Sequence, residues 1–184
     1  MRVAIFIDNS NVFKNIKRIR KTTPNSNWIQ MYDPLELANK LVGSRELVAV
    51  YFYCVPPPPW LLDENEESQK RHAITSKYFT AISKLPKVEI KYGYLQGDKT
   101  DPHEKNIDTQ LSSDMVFGAA LGHYDTAILV SNDGDFQSAI VNTKKLGKRV
   151  ELLFFGGYVS GSLRGNCDLI RKARKSYFVP INFV

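Results

Sequence analysis

The 184 residues carry 25 Lys and Arg against 19 Asp and Glu, a formal net charge of +6, and apolar residues make up 43% of the chain against 24% charged, which argues against wholesale disorder. The length suits one domain with its own core, expected over 1–184. No apolar run nears the ~20 residues of a membrane span, no cleavage pattern follows the short apolar start, and Cys54 and Cys167 make no framework for disulfides or zinc, so a soluble, cytoplasmic protein without a membrane partner is expected.

A first strand over 2–7 (RVAIFI) runs straight into Asp8, Asn9, Ser10 and Asn11, and a segment of helical period follows over about 10–21. Asp33-Pro34 reads as an N-cap and first helical residue, opening a helix over 34–42 that Gly43 closes. The second strand, 47–54 (LVAVYFYC), leaves through four prolines and Trp60, a stiff extended loop. A helix over 64–84 and a third strand over 88–94 come next. Asp108 is expected as the N-cap of a helix over 108–121 that Gly122 ends. The fourth strand, 126–130, runs into Ser131, Asn132, Asp133, Gly134 and Asp135, followed by a helix over 135–146 and a fifth strand over 149–154. The glycine-rich stretch 156–165 lacks the spacing of a phosphate-binding loop. The tail, 177–184, is apolar enough to dock on the core or on a second copy in a homodimer. Continuous apolar strands alternating with helices give an α/β fold whose parallel sheet is buried on both faces.

In such a sheet, functional groups gather beyond the carboxyl ends of the strands, where strand order reverses. Asp8, Asp133 and Asp135 leave two strands there, and Asp108 opens a helix nearby. Any one of them could be a helix cap. Their convergence is harder to explain that way, because crowded like charges repel and raise one another's pKa. A divalent cation resolves the conflict, and an all-oxygen donor set favours Mg²⁺ or Mn²⁺ over zinc. Asp114 lies six residues beyond Asp108, about 120° around a helix, and need not share the site. Such ions suit phosphoryl chemistry. The charge pattern supplies a partner: windows 14–21, 144–149 and 164–175 hold 14 basic residues against one acid, Asp168, while the remainder of the chain is net acidic. Basic segments of this kind bind phosphate backbones. A haloacid-dehalogenase-type phosphatase would need a second Asp two residues after Asp8, and position 10 is Ser.

Phe6-Ile7-Asp8-Asn9-Ser10-Asn11, Lys105-Asn106-Ile107-Asp108 and Ile128-Leu129-Val130-Ser131-Asn132-Asp133-Gly134-Asp135-Phe136, closed by Leu146-Gly147-Lys148-Arg149-Val150-Glu151, together resemble the NYN domain of the LabA-like group within the PIN-like nuclease superfamily. The resemblance implies a three-layer PIN-like fold, with about five parallel strands in the order 3-2-1-4-5, and a ribonuclease that uses one or two Mg²⁺ or Mn²⁺ ions. Asp8, Asp108, Asp133 and Asp135 would be its catalytic and metal-binding residues, with Asn11, Ser131 and Asp114 in support. RNA would be held by Lys14, Lys17, Arg18, Lys105, Lys144 and Arg164. Asn106 and Asn132 stand where the family often has Gly, and Asn tolerates a left-handed backbone. Trp60 and Tyr158 are candidates for stacking on bases. The competing expectation is an RNA-binding or regulatory module that keeps the fold without turnover.

Overall fold

Residues 3–7 are apolar on both sides of one strand. Val3, Ile5 and Ile7 pack into one layer and Ala4 and Phe6 into the other, which places this strand in the middle of the molecule. The computed structural model describes residues 1–23, 26–156 and 159–183. In chain order the elements are β1 (Arg2–Asp8), α1 (Asn9–Thr22), α2 (Pro34–Val42), β2 (Glu46–Cys54), α3 (Glu66–Ser83), β3 (Val88–Tyr92), β4 (Tyr94–Gln96), β5 (His103–Lys105), α4 (Ile107–Ala120), β6 (Thr126–Val130), α5 (Gln137–Lys145), β7 (Arg149–Phe154), α6 (Gly161–Arg164) and β8 (Leu169–Lys172).

The main sheet is parallel, in the order β3-β2-β1-β6-β7-β8. Its first five positions are the expected order. The sixth strand was not anticipated: Leu169–Lys172 is only four residues long and charged at its end, as short edge strands often are. Helices α1, α2 and α3 cover one face through Val12, Ile16, Leu37, Leu41, Tyr78 and Ile82. Helices α4 and α5 cover the other through Leu111, Met115 and Ile140. The result is three layers.

The third strand also ends sooner than expected. Gly93 closes the ladder by donating its N–H to the Cys54 carbonyl. The chain then turns away, and β4 pairs antiparallel with β5 in a separate hairpin. A Cβ on Gly93 would sit 2.5 Å from the Lys105 carbonyl oxygen, so only glycine lets the hairpin cross so closely. The tail docks on the chain's own core: Phe178 and Ile181 are buried there, and the Val179 carbonyl accepts from the Asp33 N–H at 2.8 Å.

Much of the basic charge is structural. Glu151 on β7 is 2% exposed and takes a two-pronged pair from Arg45 at 2.7 and 3.1 Å, a bond from Arg171 at 2.8 Å and one from Arg149 at 3.3 Å. Two of these arginines belong to the basic windows. Removing the acid leaves their charges crowded and uncompensated. Glu151→Ala is therefore expected to cost about 2–5 kcal/mol in urea denaturation. Arg149→Ala should cost the least of the three arginine truncations, because Arg149 is the most solvated of the three side chains.

Candidate functional site

Strand order reverses between β1 and β6, and the carboxyl ends of these two strands carry the site. Asp8 ends β1 and caps α1: its Oδ1 accepts from the Asn11 N–H at 3.1 Å, and its Oδ2 accepts from Ser131 Oγ at 2.9 Å. It is 3% exposed. Ser131 Oγ accepts in turn from the Asp133 N–H at 3.0 Å. The Asn11 side-chain oxygen takes the Asn132 N–H at 3.0 Å and Asn15 Nδ2 at 2.8 Å. One hydroxyl and one amide thus tie the start of α1 to the turn after β6.

Asn132 does not use a left-handed backbone; among the described non-glycine residues, only Lys87 and Asn106 have positive φ. Its amide instead bonds both ways with Phe155, Nδ2 to the carbonyl at 2.8 Å and Oδ1 from the N–H at 2.7 Å, which extends the β6–β7 pairing by one rung. Asn106 is left-handed, with φ 71°, and it, not Asp108, is the N-cap of α4. That turn starts the helix two residues early and leaves Asp108 in its first turn, facing the cleft.

Asp8, Asp108 and Asp133 line a cleft of about 650 Å³ together with Asn11, Lys14 and the Glu104–Lys105 arm of the hairpin. Burial pushes the Asp8 carboxyl up to about 6; the bonds from Asn11 and Ser131 oppose this, and the charges of Asp108 and Asp133 add to it. Asp108 is also raised, by burial first and then by Asp133, Asp135 and Glu104, with Lys14 pulling the other way. Lys14 is itself 3.5 Å from Glu104. Negative charge therefore exceeds positive in the cleft, and the oxygen donors suit a hard divalent cation. Among the described residues, no three carboxylate, imidazole or thiolate groups lie close enough to chelate an ion by themselves.

The remaining sequence candidates are dispersed. Asp135 stands outside the cleft with its side chain exposed, its N–H donating to Asp133 Oδ1 at 3.0 Å. Asp114 belongs to another group, accepting from the Tyr53 hydroxyl at 2.9 Å with Lys91 at 3.8 Å. Lys105 lines the cleft. Arg18 bonds Asn15 Oδ1 at 2.8 Å and, with Lys172 and Asn132, lines a neighbouring hollow of about 800 Å³. Lys17 and Arg164 are exposed. Lys144 lies at the opposite edge of the sheet, because α5 runs back to the start of β7, and it pairs with Asp168 at 2.8 Å. Trp60 is half-buried in a short helical turn, Pro59–Leu62, and Tyr158 lies outside the described residues. Glu104 escaped sequence reading because 97–106 is polar and aperiodic; the glycines at 93 and 97 were the signal that a hairpin lay there.

The chain belongs to a known family: the NYN domain matches residues 2–173. A curated relative is the low amplitude and bright protein LabA of Synechococcus elongatus, 25% identical over 170 residues, which are 91% of this chain and 81% of LabA. The crystal structure of a protein of unknown function from Vibrio parahaemolyticus has the same fold, with a TM-score of 0.64 at 17% identity over 97% of this chain and 96% of the other. No helix among the described residues is long and apolar enough to cross a membrane.

The raised Asp8 value has a thermodynamic consequence. A carboxyl near 4 when unfolded and about 6 when folded binds its proton more tightly in the native state. Its contribution to stability is therefore full below about pH 4 and is lost as pH rises through about 6. Asn caps helices as well as Asp and carries no charge to bury. In EDTA at pH 7.5, Asp8→Asn is expected to raise unfolding free energy by about 1–3 kcal/mol in urea titrations. At pH 4 the gain should vanish.

Proposed function

We propose that this protein is a metal-dependent nuclease that hydrolyses RNA phosphodiester bonds. The observation that carries the reading is the buried Asp8 carboxylate, facing Asp108 and Asp133 across a cleft with too little positive charge to balance them. The donor chemistry fits Mg²⁺ or Mn²⁺, with Asp8 and either Asp108 or Asp133 as ligands, the remaining aspartate reaching the ion through water, and Asp135 as a more distant source of negative potential. When bound, the ion lowers the pKa of water and offsets phosphate charge. Asn11 and Ser131 hold the Asp8 oxygens in place. Lys14 and Lys105, at the cleft wall, hold flanking phosphates. RNA as the substrate rests on the family resemblance.

One observation favours a second reading, an RNA-binding module without turnover: three chelating groups do not come together unaided. Mg²⁺ commonly keeps several waters and needs only one or two carboxylates, so the nuclease reading stands first.

The test is hydrolysis of single-stranded and structured RNA with Mn²⁺ or Mg²⁺. Asp8→Asn and Asp133→Asn are expected to lose at least about 100-fold in rate. Lys14→Ala and Lys105→Ala should each reduce the slope of log affinity against log salt by about 1, while Lys144→Ala leaves it unchanged. Equal hydrolysis by wild type and both aspartate variants would mean a contaminant and would sink the assignment. RNA binding with no hydrolysis by wild type would establish the second reading.

A further inference from the structure

Beside the acidic cleft lies a smaller, apolar pocket of about 190 Å³, between α1 and α3 and over the carboxyl end of β2. Ser10, Lys14 and Glu104 line both hollows, so the two adjoin. The walls of the small pocket are Phe13, Met31, Val55 and Phe79, with Asn9 and Thr75 among its polar groups. Its volume is below the ~300–1,000 Å³ of pockets that enclose a drug-sized ligand, so it takes about one ring system. Phe13 is 42% exposed although it lies on the first turns of a helix in which Val12 and Ile16 are fully buried. An aromatic left open at the mouth of a pocket is a stacking surface.

Asn9 follows Asp8 directly and is 8% exposed. Its side-chain oxygen accepts from the Tyr32 hydroxyl at 3.2 Å, and the Tyr32 carbonyl accepts from the Tyr78 hydroxyl at 2.8 Å. Both tyrosines are buried. This relay holds the Asn9 oxygen toward the core. Among the described residues no acceptor is bonded to Asn9 Nδ2, so the donor end of the amide is what Asn9 offers a ligand. A buried amide of fixed orientation, beside apolar walls and an open aromatic, matches a group with flat apolar faces and acceptors on its edge.

We infer that this pocket receives one nucleobase of an RNA strand whose backbone crosses the acidic cleft, with the base stacked on Phe13 and an edge acceptor bonded to Asn9 Nδ2. The inference rests on the reading of the cleft as an RNA site and adds that the strand is gripped through a base as well as through phosphates. It requires an unpaired nucleotide at that position, because a base held in a duplex shows neither face.

Binding without turnover separates this inference from the nuclease reading. Full-length Asp8→Asn protein would be titrated, by fluorescence anisotropy, into labelled eight-nucleotide oligouridylate and into the same sugar–phosphate chain without bases. Oligouridylate is expected to bind about tenfold or more tighter than the abasic chain. Phe13→Ala removes the stacking surface and Thr75→Trp fills the pocket from α3; either should reduce that ratio to near one while leaving affinity for the abasic chain unchanged. Circular dichroism would confirm that each variant is folded, and with two independent walls altered, misfolding of one still leaves the other to decide. Equal binding of the two probes, no binding of either, or a base preference that survives both substitutions would overturn the inference. A base preference in a protein that hydrolyses nothing would sustain it while removing the nuclease reading.

Discussion

A carboxylate buried at the end of the central strand is the constraint around which the site is arranged. Asp8 lies between two core layers, where a charge is costly unless something compensates it. The described residues supply two hydrogen bonds, from the Asn11 N–H and the Ser131 hydroxyl, and among them no cation is in contact. The chain then places Asp108 and Asp133 nearby, which makes the electrostatic position worse. A sequence selected for stability alone would not keep three acids there, since an asparagine would cap α1 equally well. Strain of this kind marks a place where stability yields to function.

The rest of the fold can be read as support for that strain. Apolar residues on both sides of β1 hold the strand rigidly between two layers, so the position of Asp8 is fixed from behind. The reversal of strand order beside β1 opens the edge at that point and brings the turn after β6 within reach. Asn11, Ser131 and Asn132 lock that turn to α1 and to the end of β7. The hairpin of β4 and β5 forms the outer wall and depends on Gly93, where any side chain would strike the Lys105 backbone.

The strands were legible because parallel strands buried on both faces read as plain apolar runs; their order followed from the family resemblance. Asp8 was legible because it follows such a run at once, and Asp133 because it lies three residues beyond one. Four things were not. The short edge strand at 169–172 is too brief and too charged to show a period. The hairpin at 94–105 has no hydrophobic alternation, so Glu104 and the outer wall of the cleft were hidden with it. The destination of the basic residues was also hidden: spacing along the chain places Lys144, Arg149 and Arg171 beside other cations, while in three dimensions they serve Asp168 and Glu151. Charge clustering in sequence reported a core ion-pair network as much as a phosphate-binding face. Likewise Asp108 looked like a cap because the left-handed turn at Asn106, which starts α4 early, leaves little mark on sequence.

The net charge of +6 thus conceals cations paired with the buried Glu151 and with Asp168, cations around the cleft, and a cleft left negative. The negative cleft is expected to attract a divalent ion. Crystals soaked in Mn²⁺ and measured at the manganese absorption edge test it most directly. An anomalous peak is expected within coordinating distance of an Asp8 oxygen, with Asp108 or Asp133 as a second contact, directly or through water. A well-ordered cleft with no such peak, or manganese bound only elsewhere on the surface, would contradict it.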